Sequence, residues 1–398
     1  MQKSHINDLN THFLVVSYHS IIKSSIKQIL KNNDFHNYLF ARNGHEALRI
    51  IQSHENKVEF IISDWDMPII NGIELLKKIK NDPELFMLPF MLLSKYWSVE
   101  LRQIYAIEED ADIFMTIPFK ETDVINNLLN CLNNFKHLTY EKKMLKKMIH
   151  NKLNNNYMEV LNLGVQLSKR DLSAKASILT GESLYHLEKY DQAKQVLKKS
   201  LSKEKNSKAY DLLGKIYSKQ GDSKESLKNF KMAQERNPLN ISRSINLARE
   251  YLLQGKIRMA FELVNDILKS KPTYLDLINI ANLYLGMGYL DEAYKILKIL
   301  DPINDTAQVF YICCVKLWQK GARKSTLSLL SRCINKLPQN HLFLYYLGII
   351  FLKKEKFLLA NKYIMKALKI NPNYEPAKRG MAYLKKIDPK FGLFREAP

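Results

Sequence analysis

The residues best placed to do chemistry are Asp64 and Asp66, two carboxylates that follow the apolar run Phe60, Ile61 and Ile62. That run has the length and β-branched content of a buried strand. Met67-Pro68 and Asn71-Gly72 then supply the residues that end a strand and open a helix. In an open α/β sheet the carboxyl ends of strands are where ligands and reacting groups sit. A carboxylate there is placed to meet a reacting group or to help hold Mg²⁺, which needs further oxygen ligands. Asp66 is the one spare carboxylate beside Asp64, and an isolated pair would hold Mg²⁺ weakly, so no resident cofactor is expected. Trp65, between them, reads as a partly exposed packing residue.

The elements around this pair alternate. Strand-like runs at 12–16, 38–41, 60–64, 90–94 and 112–117 are separated by helix-like runs at 21–30, 46–53, 73–79 and 100–107 and followed by one at 121–132. Five strands alternating with five helices predict a parallel sheet covered on both faces.

The wording of 58–76, VEFIISDWDMPIINGIELL, resembles the phospho-acceptor strand and loop of the two-component receiver domain, and the resemblance covers 11–136. It implies an α/β doubly wound, flavodoxin-like five-stranded sheet and a histidine kinase or another response regulator as partner. It also implies Asp64 as phospho-acceptor, Ser94 as the hydroxyl contacting the phosphoryl oxygen, and Phe114 as the switch aromatic. Three positions depart from the family. Where receivers carry two acidic residues after the first strand this chain has Ser17 and Tyr18, and where they carry a lysine it has Ile117 before Pro118. Two of three charge-handling elements are therefore missing, and the resemblance implies a degenerate phosphorylation site.

The rest of the chain repeats. Gly181, Gly214, Ala248, Ala281, Cys314 and Gly348 are spaced 33 or 34 residues apart, and each is followed three residues later by a large apolar residue. Small residues or Thr326 recur twelve positions on, and Pro238, Pro272, Pro338 and Pro372 close four of the repeats. This pattern resembles the tetratricopeptide repeat, in which helical hairpins stack because none can bury its apolar stripe alone. The reading is of an amphipathic joining helix near 136–152 and a degenerate first repeat within 137–173. Six repeats over 174–374 and a capping helix and tail over 375–398 follow. Cys314 and Cys333 read as two small buried residues brought together by the hairpin, and His150 as a surface residue of the joining helix.

The resemblance assigns the groove to the first helix of each hairpin. It implies a basic end (Lys175, Lys208, Lys215, Lys219, Arg249) and an apolar end (Leu275, Ile278, Leu285, Tyr311, Val315, Trp318, Tyr345, Ile349, Leu352). The fitting partner is a protein or peptide with an acidic and an apolar portion.

Composition narrows the function classes. Residues 1–137 hold 14 basic and 17 acidic residues and the remainder 47 and 23, so the net charge of +21 comes from −3 and +24. That excess raises nucleic acid as a partner, but many lysines fall on second helices or in turns, as on a solvated face. No nucleic-acid-binding signature accompanies them. The beginning has no apolar signal core, the longest apolar run (342–352) is too short for a membrane span of roughly 20 residues, and four cysteines without CxxC spacing fit a reducing compartment. The expectation is a cytoplasmic, non-enzymatic signalling adaptor. A phosphorylation-driven regulator using Asp64 is the alternative, and a nucleic-acid binder the less favoured one.

Overall fold

The computed structural model describes residues 10–53, 57–95, 99–168, 173–270, 272–302 and 307–391. The chain divides into two compact units, Met1–Ile267 and Leu268–Pro398.

The first unit opens with five parallel strands, β1 (Phe13–Val16), β2 (Tyr38–Ala41), β3 (Phe60–Asp64), β4 (Phe90–Lys95) and β5 (Ile113–Ile117), in the order β2-β1-β3-β4-β5. Helices α1 (Ser20–Asn32), α2 (Gly44–Gln52), α3 (Gly72–Lys80), α4 (Val99–Glu108) and α5 (Glu121–Lys136) connect or follow them. Strand side chains alternate between the two faces. Phe13, Val15, Phe60, Ile62, Met91 and Leu93 meet the apolar sides of α1 and α5. Leu14, Val16, Ile61, Phe90 and Leu92 meet residues of α2, α3 and α4. Both faces being covered explains why β3 and β4 read as continuous apolar runs.

After the sheet come helical hairpins: α6 (Tyr140–Leu153) with α7 (Tyr157–Ser168), α8 (Ala174–His186) with α9 (Tyr190–Lys203), α10 (Ser207–Lys219) with α11 (Ser223–Arg236), and α12 (Ile241–Leu253) with α13 (Ile257–Lys269). The joining helix expected from Lys136 is two elements, since α5 runs to Lys136 and Thr139 caps a separate α6 by accepting from the Lys142 amide. α6 therefore serves as the first arm of the 140–168 hairpin.

In the second unit α14 (Tyr274–Met287) pairs with α15 (Leu290–Ile299), α16 (Ala307–Gln319) with α17 (Arg323–Lys336), and α18 (His341–Lys353) with α19 (Phe357–Ile370), before α20 (Glu375–Ile387). α20 buries Ala377, Met381 and Leu384 against Ala360 and Ile364 and leaves Lys378, Arg379, Lys385 and Lys386 exposed.

Each hairpin turns at a left-handed residue. Asn155, Glu188, Gly221, Gly255, Gly288, Gly321 and Glu355 have φ between 57° and 91° and recur every 33 or 34 positions. Close helix approach accounts for the small register residues: a Cβ on Gly214 would lie 2.7 Å from the Phe230 ring. Cys314 and Cys333 are buried free thiols, and the contact with Cys333, together with burial, pushes the Cys314 thiol well up.

Candidate functional site at the end of the third strand

Asp64 ends β3 in register with Leu93 of β4, and Ser94 pairs with Thr116 of β5. The acceptor position and its hydroxyl neighbour are thus fixed by backbone pairing. The start of α3 packs directly against this end of β3. A Cβ on Gly72 would fall 2.2 Å from the Asp64 carbonyl oxygen, so only glycine permits that approach. The helix is then held by a reciprocal cap: Asn71 accepts from the Glu74 amide at 2.9 Å while Glu74 accepts from the Asn71 amide at 3.3 Å.

Asp64 is 1 % exposed. One oxygen accepts from the Ser17 hydroxyl at 3.1 Å and the other from the Asp66 amide at 3.2 Å. Burial raises its pKa above the ordinary carboxylate range; the two hydrogen bonds and the nearby His19 pull the other way. Ser17 also accepts from the His19 amide at 3.1 Å, so a neutral hydroxyl organises the loop where the family places a carboxylate. Tyr18 is 62 % exposed and contributes nothing to Asp64. Ile117 packs with the core on the α1/α5 side of the sheet, and its bond to Pro118 is cis. Phe114 is half-buried on the opposite side, beside the cluster containing Tyr105.

The cation at this site comes from α4. Arg102 donates to both oxygens of Asp66, at 3.0 and 3.1 Å, and to the Ser94 hydroxyl at 2.8 Å. Its guanidinium lies 4.9 Å from the centre of the Trp65 ring. Trp65 itself is buried, contrary to the partial exposure expected of it, because Tyr105 meets it edge-on at 6.2 Å and Arg102 covers it. The sequence reading missed Arg102. Its signal was helical phase, since Arg102, Tyr105 and Ala106 fall at i, i+3 and i+4 and are the buried residues of α4.

These donors do not fit Mg²⁺. The metal needs several oxygens of net negative charge, and here both Asp66 oxygens are engaged by a guanidinium, Ser17 is neutral, and Asp64 shares its oxygens with two hydrogen-bond donors. Among the described residues no cluster of three His, Cys, Asp or Glu side chains could hold a metal ion.

The groove residues take varied positions. Lys175 meets Asp110 at 2.7 Å and Lys208 meets Glu109 at 3.8 Å, both on the sheet domain. Lys215 is paired with Asp211 in its own helix at 2.6 Å, and Lys219 and Arg249 are exposed. In the second unit Tyr311 meets Tyr346 at 5.5 Å, Tyr345 packs on Tyr374 at 5.2 Å, and Trp318 lies half-buried with Arg323 and Lys354 each 5.8 Å from its ring. Ile278 and Leu285, expected in the groove, are buried, at 3 % and 0 % exposure. Among the described residues no helix is long and apolar enough to cross a membrane.

Comparison with known proteins gives two overlapping family matches. Residues 13–129 match the response regulator receiver domain family, and residues 73–282 match the tetratricopeptide repeat protein 21 C-terminal ARM domain family. The second match begins inside α3, whereas the helical hairpins begin at α6. The two-component response regulator ORR11 of Oryza sativa subsp. indica is 34% identical over 113 residues, covering 28% of this chain and 75% of that protein. Histidine kinase P4 of Formosa agariphila is 32% identical over 139 residues, 34% of this chain and 10% of that protein. The chain thus spans only a tenth of the kinase's length. A solved receiver domain of a signal transduction histidine kinase from Syntrophus aciditrophicus is 26% identical, with a TM-score of 0.30, over 33% of this chain and 96% of that one.

Proposed function

This chain belongs to the two-component receiver family in its first third and to a helical-repeat family beyond it, and we propose that it is a non-enzymatic adaptor of two-component signalling. In this reading the receiver docks on a histidine kinase or on another response regulator, and the repeats bind a protein partner. The observation that carries the proposal is the Asp66–Arg102–Ser94 arrangement: the sheet and loops that kinases recognise are kept, while an internal guanidinium takes the carboxylate and hydroxyl that phosphoryl chemistry would use. The relatives support the choice of signalling system, since one is described as a response regulator and one as a histidine kinase.

The test compares the intact protein with Asp64→Ala. Co-purification followed by mass spectrometry should recover the same kinase or receiver partners in the same amounts from both. Loss of those partners from a normally folded Asp64→Ala protein would instead favour a regulator driven by phosphorylation of Asp64.

A further inference from the structure

The last residue of α4 and the two that follow it are all acidic: Glu108, Glu109 and Asp110. Each meets a basic residue near the start of the first helix of a different hairpin. Asp110 meets Lys175 of α8 at 2.7 Å, Glu109 meets Lys208 of α10 at 3.8 Å, and Glu108 takes both terminal nitrogens of Arg243 of α12, one at 3.0 Å. The Asn237 side chain also donates to Glu108. Three consecutive carboxylates are thus read by three consecutive repeats. Lys175 and Lys208 stand six positions before the register residues Gly181 and Gly214; Arg243 stands five before Ala248.

The three contacts are not equivalent. Glu108 and Arg243 are 6 % and 4 % exposed in their side chains, so this pair is desolvated, whereas Asp110 and Lys175 are 39 % and 43 % exposed. Buried pairs govern how long such contacts last, and exposed ones mainly guide association. Leu239, in the turn that precedes α12, adds an apolar anchor against the sheet domain's core cluster around Trp65 and Tyr105.

We propose that the basic end of the repeat groove is a receptor for a short acidic run at a helix end, and that the receiver's own Glu108-Glu109-Asp110 is its resident occupant. The protein partner for this end is then one that presents a similar acidic run after a helix and displaces the receiver to bind. This deepens the reading of the repeats as a partner surface. It does not involve Asp64, so its failure would leave the acceptor-site reading untouched.

The probe is a fluorescein-labelled peptide of this chain's residues 102–112, titrated into the full-length protein. A tethered occupant competes at high effective concentration, so the wild type should bind the peptide weakly. Reversing the resident charges (Glu108→Lys, Glu109→Lys and Asp110→Lys together) should tighten peptide binding at least about tenfold, and Glu108→Gln should give part of that gain. Adding Arg243→Glu should abolish the gain. In a variant carrying Asp110→Cys and Lys175→Cys, closure with a short bismaleimide should suppress binding below wild type; the four native cysteines are buried. Equal binding by wild-type, charge-reversed and cross-linked proteins would overturn the proposal, as would no binding by folded charge-reversed and Glu108→Gln variants.

Discussion

Replacing Arg102 with alanine tests the acceptor-site reading directly. The side chain is 7 % exposed, so the contacts it loses are not simply replaced by water, whereas its partner Asp66 is 34 % exposed and can be rehydrated. Discounting the pair for that exposure leaves about 1 kcal/mol. The bond to the fully buried Ser94 hydroxyl contributes about 1–1.5 kcal/mol, and the contact with the Trp65 face about 0.5–1 kcal/mol. The expected destabilisation is about 3 kcal/mol, or roughly 6–12 °C in melting temperature for a unit of this size. Differential scanning calorimetry reads the stability. The emission of Trp65, in a background carrying Trp97→Phe and Trp318→Phe, reads the site. Wild-type emission should barely change with millimolar Mg²⁺ and beryllofluoride. Ser17→Asp, Tyr18→Asp and Ile117→Lys together should create a response, and adding Arg102→Ala should strengthen it by freeing Asp66. A saturable wild-type quench, or an Arg102→Ala protein that melts like wild type, would refute the argument that Arg102 occupies this site.

Three further outcomes follow from the same geometry. Asp64 has a raised pKa because of burial, so its ionisation opposes folding. Stability is full below the ordinary aspartate pKa and falls as pH rises through the raised one, so Asp64→Asn should be more stable than wild type at neutral pH, the difference closing on acidification; equal urea midpoints at pH 7 would contradict this. Glu188 turns its hairpin at φ 59°, where a side chain costs about 1–2 kcal/mol relative to glycine. Glu188→Gly should therefore raise stability by up to about 1 kcal/mol after the glycine's unfolded-state entropy is subtracted, and a lower melting temperature would show the turn is not strained. Trp318 is half-buried between Arg323 and Lys354, so Trp318→Ala should destabilise the second unit by about 2 kcal/mol, less than the 3–5 expected for a fully buried aromatic, and weaken partner binding; a variant that melts normally and binds its partner unchanged would remove Trp318 from the groove.

How much was legible in the sequence depended on whether the deciding contact was local. Strand and helix identities came from period and turn chemistry, which act within a few residues, so the order β1-α1 to β5-α5 and the position of Asp64 could be read directly. The hairpin array was legible because small residues recur at a fixed spacing. A second periodic signal, the left-handed residue at each turn, was hidden because four turns use glycine while Asn155, Glu188 and Glu355 do not. Arg102 was missed for a different reason. The missing lysine and acidic pair were sought on the strand ends where the family keeps them, while the compensating charge came from α4. Arg243 was missed because it stands one place out of the phase that identified Lys175 and Lys208.

Both of these unforeseen arginines engage α4 or are carried by it. Arg102, at the helix's first turns, holds Asp66 and Ser94, and Glu108, at its last residue, is held by Arg243. A single ten-residue helix therefore carries one contact to the acceptor pocket and another to the repeats. A rigid helix transmits displacement along its length only if both ends have alternative partners. At the repeat end the proposed acidic competitor would supply one. At the pocket end Arg102 has two anchors, Asp66 and Ser94, and any anion drawn to Asp64 would have to compete with the buried carboxylate itself. On the proposed displacement, the adjustable contact is at Glu108 rather than at Asp64, and a partner seated on the repeats would release that end of α4 without chemistry at the acceptor.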